Sequence, residues 1–211
     1  NTPGILFSFD LHMFKFNSSG YYQFGKNNNG LSVSDYFWNF QSEFSLSKAS
    51  LVAGIDYLSG NNLSSTDSAY LKKDHLFDIL YGARHRYYGH MDYFSNMQKG
   101  TGGGGLIDVY FDSKLNIRKT LWLQGTYHFF RLENNIMDVE SGLSLDKSLA
   151  NEFDFSCIYK PSKEIKVELG YALIVSTETL NKIQNVPFNS PKYANWFWIM
   201  CTVSPKFIFQ K

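Results

Sequence analysis

With 20 Lys and Arg set against 19 Asp and Glu in 211 residues, the chain has a formal charge of +1, so no sequence-wide field directs it to nucleic acid or to an anionic surface. Aromatic side chains occupy 18% of positions, as 19 Phe, 14 Tyr and 4 Trp, more than the core of an ordinary soluble domain requires; girdles at two lipid interfaces would use that surplus. The longest nearly apolar stretch, 196–203, is less than half of the roughly 20 residues a helix needs to cross a bilayer, which excludes a helical span within these residues.

Period-two alternation places strands at 5–26 (with a break at 17–20), 31–46, 50–58, 104–112, 117–131, 149–160, 164–175 and 195–204. That is eight strands, or nine if the first is a hairpin. In 31–46, Tyr36, Trp38, Phe40, Phe44 and Leu46 share one face, while Asp35, Asn39, Gln41 and Glu43 share the other. Asp56 belongs to the polar face of the next strand. Further along, Ile107, Val109 and Phe111 oppose Asp108 and Tyr110, and Leu121, Leu123, Tyr127 and Phe129 oppose Gln124, Thr126 and His128. Phe153, Phe155 and Tyr159 oppose Glu152, Asp154 and Ser156; Ile165, Val167, Leu169, Tyr171, Leu173 and Val175 oppose Lys166 and Glu168. Cys157 and Cys201 sit inside apolar-rich strands without CxxC or Cys/His spacing and read as small packing residues.

Connections at 47–49, 113–116 and 161–163 are tight, whereas those at 59–103, 132–148 and 176–194 are long. Short turns on one side and long loops on the other are the habit of bacterial outer-membrane barrels. Charges such as Asp154 and Glu168 near mid-strand suit a wet face and not a dry core. The expected fold is therefore all-β, a single domain over 1–211: an antiparallel up-and-down transmembrane β-barrel of eight or nine strands with extracellular loops near 59–103, 132–148 and 176–194. Asn1 opens the chain without a basic-then-apolar leader, so a secretory signal is expected to have been removed or to lie upstream.

Several segments carry a family likeness: AGIDYLSGNN (53–62), LFDILYGARHRYYGHMDYF (76–94), YYQFGK (21–26), GLIDVYF (105–111), GTYHFFRL (125–132), ANEFDFSCIYK (150–160) and NWFWIMCTVSPKF (195–207). They resemble the C-terminal part of the alginate-export family of outer-membrane β-barrels, especially members from the Bacteroidetes. The YLSG and HRYYGHMDYF segments are the more specific ones. The resemblance implies that these are the last eight or nine strands of a larger barrel integral to the bacterial outer membrane. It also implies a porin-like channel for passive diffusion of an anionic polysaccharide or another small solute. Such a channel should present cations to its lumen. Here the expected lumen, lined by Asp35, Asn39, Gln41, Glu43, Asp56, Asp108, Gln124, His128, Glu152, Asp154, Lys166 and Glu168, is mostly acidic.

The segment 84–94 concentrates Arg84, His85, Arg86, Tyr87, Tyr88 and Tyr93, with Asp92 close by, inside an expected extracellular loop. It reads either as an entry or constriction patch, with arginines for carboxylates and tyrosines for sugar rings, or as a loop packed on its own aromatics. The separations of His75, His85 and His90 match no metal-ligand spacing, and no metal or cofactor is expected. His12 and His128 fall on polar strand faces. The run Gly102, Gly103, Gly104 and Gly105 precedes no Lys-Ser/Thr pair and reads as a flexible loop end entering a strand. No GxSxG occurs, and Ser, His and Asp are too scattered to nominate a triad, so no enzyme is expected. Three readings stay open: a transport channel, a small closed structural or adhesive barrel, and a soluble β-rich binding module. The lipid of the outer membrane is the expected partner in the first two.

Overall fold

Residues 1–79, 88–138, 141–187 and 189–205 are described by the structure, a computed structural model. Along the chain lie β1 (Gly4–Leu11), β2 (Phe14–Lys26), β3 (Ser32–Ser45), β4 (Ala49–Leu58), the two-residue β5 (Lys73–Asp74), α1 (Met97–Thr101), β6 (Leu106–Arg118), β7 (Leu121–Arg131), β8 (Ser148–Tyr159), β9 (Ile165–Ser176), α2 (Glu178–Ile183) and β10 (Tyr193–Val203). All strands belong to one sheet in the order β1-β2-β3-β4-β6-β7-β8-β9-β10, with β5 paired in parallel to the start of β3. Every other pairing is antiparallel and joins sequence neighbours, apart from the step over β5, which makes an up-and-down meander. Among the described residues β1 pairs with β2 alone and β10 with β9 alone, so the sheet is open. No described helix is long and apolar enough to cross a membrane.

Two breaks fall elsewhere than expected. The first hairpin turns at His12 and Met13, not at 17–20, and His12 takes the turn with φ 52 instead of lying on a strand face. Asn17, Ser18, Ser19 and Gly20 have turn-forming composition. They remain in β2 because Asn17 and Ser19 face Gln41 and Asn39 across the polar side of the sheet, and because Gly20 leaves room for the ring of Trp38 opposite. Likewise 113–116 is not a turn. β6 runs on to Arg118, with Ser113 Oγ donating to Gly125 O and the turn falling at Lys119 and Thr120.

Side chains alternate between two faces throughout. The outer face carries Ile5, Phe7 and Phe9 on β1, Tyr36, Trp38 and Phe40 on β3, Leu123 and Tyr127 on β7, and Phe197 and Ile199 on β10, mostly exposed. The expected pair of aromatic rings is not symmetric. Outward tyrosines Tyr22, Tyr36, Tyr57, Tyr127, Tyr171 and Tyr193 all lie in the loop-side halves of their strands, while the short-turn side has Tyr159 and the Phe14–Phe44 pair at 4.8 Å. Much of the aromatic surplus goes elsewhere. Phe77, Tyr88, Phe94 and Phe130 join Leu58, Leu106, Leu149, Ile174 and Leu180 in a core at the loop end of the sheet.

That core is built where the long loops fold back. Asn96 caps α1 by accepting from Lys99 N, and Thr177 caps α2 by accepting from Leu180 N. Lys182 of α2 reaches Asp138 Oδ2 at 2.8 Å, tying the β9–β10 loop to the β7–β8 loop. The glycine run is not a flexible end. Gly103, Gly104 and Gly105 are buried, and a Cβ on Gly60 would stand 2.0 Å from Gly105 N. The chain leaving β4 and the chain entering β6 cross there backbone to backbone, which only paired glycines permit.

Candidate functional site

Opposite the apolar outer face, the inner face is polar, and the sheet curls around it to leave a cavity of about 1230 Å³. Register explains which residues meet. Asn39 on β3 lies opposite Asp56 on β4, Asp56 opposite Asp108 on β6, Tyr110 opposite His128 on β7, and Thr126 opposite Asp154 on β8. Residues of one parity on adjacent strands thus bring the acids of three strands, β4, β6 and β8, to one wall.

Most of these carboxylates are held by neutral donors. Asn39 Nδ2 donates to Asp56 Oδ1, and Gln124 Nε2 and Thr126 Oγ1 donate to Asp112 Oδ2 at 2.7 and 2.8 Å. His128 is the exception. Its Nδ1 lies 3.1 and 2.9 Å from the two oxygens of Asp108, and its Nε2 lies 4.0 Å from Asp154 Oδ2. The imidazole therefore sits between two carboxylates, on a side chain that is itself buried.

Two described stretches of the long β4–β6 loop, 77–79 and 88–91, lie against this face. At one side Gln23 on β2 exchanges two hydrogen bonds with the backbone of Asp78, Nε2 to O at 2.8 Å and N to Oε1 at 3.1 Å. Nearby, His75 Nδ1 is 2.7 Å from Ser34 O, its ring stacks on Tyr70 at 3.8 Å, and Asp74 accepts from Asn27 and Asn61. At the other side the amides of His90 and Met91 donate to Asp154 Oδ2 and Glu152 Oε1 at 3.1 and 2.8 Å. The two anchorages stand on β2–β3 and on β8, so Phe77, Ile79, Tyr88, Gly89 and His90 form the cavity's loop wall.

No protein-family model matches the chain, and no curated protein does.

All twelve residues expected to line a lumen share the inner face, yet they do not form one site. Asn39, Gln41, Asp56, Asp108, Gln124, His128 and Asp154 line the cavity. Glu152 is fully buried beneath Gly89, Asp35 is buried beside the loop anchorage, and Glu43 lies toward the short-turn end of β3. Lys166 and Glu168 pair with each other at 2.6 Å on β9. Of the loop candidates, Arg84, His85, Arg86 and Tyr87 lie outside the described residues. Tyr88 is buried with φ 65 and Tyr93 is half-buried against the core, so both pack inward. Tyr21, Gln23, Phe37, Asp112 and the loop residues Phe77, Ile79, Gly89 and His90 line the cavity without being among the expected lining residues. Parity alone points to the first four: Tyr21 and Gln23 share a face with Asn17, and Phe37 with Asp35.

Proposed function

We propose that this chain forms the strands of an outer-membrane β-barrel channel through which a hydrophilic solute diffuses passively. One observation carries the reading. From Ile5 on β1 to Val203 on β10, the outward positions of the described long strands hold only three charged residues, all at strand ends: Lys26 and Arg131 at the loop side and Arg118, opposite Leu121, at the short-turn side. The inner face of the same strands carries Asp10, Lys15, Asp35, Glu43, Asp56, Asp108, Asp112, Lys114, Glu152, Asp154, Lys166 and Glu168. A surface free of charge over its whole middle suits hydrocarbon, where a cation at the midplane costs about 2 to 4 kcal/mol. A polar opposite face suits water.

Other features agree. The connections at 12–13, 46–48, 119–120 and 160–164 fall on one side and are all short, while the long loops at 59–105, 132–147 and 177–192 all fall on the other, together with one short connection at 27–31, a bias like that of periplasmic turns and extracellular loops. Most strands run 10 to 14 residues, as in Ala49–Leu58 and Ser32–Ser45, enough for a tilted crossing that takes about 9 to 11. In lipid the unpaired edges of β1 and β10 must be satisfied by further strands or by each other. The nine long strands among the described residues are an odd number, whereas single-chain bacterial barrels are even, so further strands are the better closure. The resemblance to the C-terminal part of alginate-export barrels supports the same conclusion and a polysaccharide or other solute as cargo.

The test is fractionation followed by reconstitution. The chain should sediment with outer membranes, resist extraction by alkaline carbonate, and give stable conductance steps in a planar bilayer after purification in detergent. Recovery as a soluble protein without detergent would contradict the proposal.

A further inference from the structure

We propose that the inner-face cavity selects cations, from hydrated alkali ions to protonated amines, and rejects polyanions. The inference rests on the channel reading above and specifies its solute. Four carboxylates, Asp56, Asp108, Asp112 and Asp154, line the cavity, and no Lys or Arg side chain is among its described lining residues. Asp56 and Asp108 are direct cross-strand partners and both are buried, although like charges placed opposite each other destabilise a sheet. Neutral donors from Asn39, Gln124 and Thr126 orient Asp56 and Asp112, while the imidazole of His128 stands between Asp108 and Asp154.

A second observation points to a ligand. Asp154 is 3% exposed and lines the cavity, yet its Oδ1 has no hydrogen-bond partner. The nearest basic nitrogen, His90 Nδ1, stands 3.9 Å away and is likewise without one. A buried carboxylate oxygen with an open lone pair is an unmet demand for a cation or a donor. Tyr21, Phe37 and Tyr110 add aromatic rings to the lining, and aromatic rings attract ammonium groups and dehydrated cations more than anions. Acidic walls of this kind raise the local concentration of cations and impose a barrier on a uronic-acid polymer.

The measurement is the reversal potential of the full chain in a planar bilayer under a KCl gradient, compared with Asp154→Asn and with Asp154→Asn combined with Asp112→Asn. K⁺ preference that weakens in the single variant and falls further in the double one is expected. Cl⁻ preference, or K⁺ preference indifferent to both changes, would overturn the proposal while leaving the channel standing. Inserted protein without conductance would overturn the channel and the selectivity together. Should Asp154→Asn fail to insert, spermine added to the wild-type channel decides the matter: block of the K⁺ current is expected, and an unaffected current overturns the proposal.

Discussion

Gly89 lies so close to the carboxylate of Glu152 that a Cβ there would stand 2.4 Å from its Cδ, and its φ of +83° is one that side-chain-bearing residues adopt only under strain. With the amides of His90 and Met91 bonded to Asp154 and Glu152, the far end of the β4–β6 loop rests on β8 through contacts that leave no space for a side chain. Gly89→Ala should cost about 1 to 2 kcal/mol for the left-handed backbone alone and lift the segment from β8. Hydrogen exchange checks this. The amides of His90 and Met91 should lose protection in the variant, and unchanged protection would show that the contact is not what seats the loop.

The near anchorage makes a separate prediction. Gln23→Leu removes both hydrogen bonds to the Asp78 backbone, at about 1 kcal/mol for each. Limited proteolysis should then cut the loop between β5 and α1 faster than in the wild type, while β8 contacts keep the segment near Met91 protected. Equal cleavage rates would mean that Gln23 does not hold the loop.

Neighbouring residues on opposite faces provide the cleanest mutational contrast. Leu123 points outward between Leu115 and Cys157, and Gln124 points inward to Asp112. Leu123, like Val167, lies two residues in from the short-turn end of its strand, between the interface and the midplane. Leu123→Arg or Val167→Arg should therefore lose about 1 to 2 kcal/mol of stability in lipid vesicles, measured by urea unfolding. Gln124→Arg should be tolerated, since a guanidinium there meets a carboxylate. Equal damage from the two would refute the assignment of faces.

Trp198 lies over Gly170 on the adjacent strand, and a Cβ on Gly170 would stand 2.1 Å from Trp198 Cε2. The same cross-strand arrangement recurs where Tyr110 covers Gly54 and Trp38 covers Gly20. Gly170→Ala should displace the indole and cost about 1 to 3 kcal/mol by overpacking. The emission of Trp198, taken as the difference from a Trp198→Phe variant, should shift; an unshifted band would show that the ring has room to spare.

Strand existence and face were legible in the sequence because period two is a local signal. Asp35, Asn39, Asp56, Asp108, Gln124, His128, Glu152 and Asp154 needed only parity to be placed on one side. Breaks were harder to read, because Asn17–Gly20 and Ser113–Asn116 have turn composition, and it is cross-strand partners that keep them extended. The loop over the inner face was not legible. Its anchors, Gln23 to Asp78 and Glu152 to Met91, join residues far apart in the chain, and α1 and α2 are too short to show helical periodicity. The burial of Tyr88 and Tyr93 follows from that docking and agrees with the reading of this segment as a loop packed on its own aromatics, while Tyr88 also lines the cavity.

The central claim is that one face of this sheet meets lipid and the other meets water, and the chain's own thiols test it most directly. Cys157 and Cys201 are free and lie on the outer face, Cys201 exposed, whereas Gln124 is on the inner face. In lipid vesicles with a membrane-impermeant maleimide on both sides of the bilayer, Cys157 and Cys201 should stay unlabelled while a Gln124→Cys variant reacts. Labelling of Cys201 as fast as Gln124→Cys would contradict a lipid-facing outer surface.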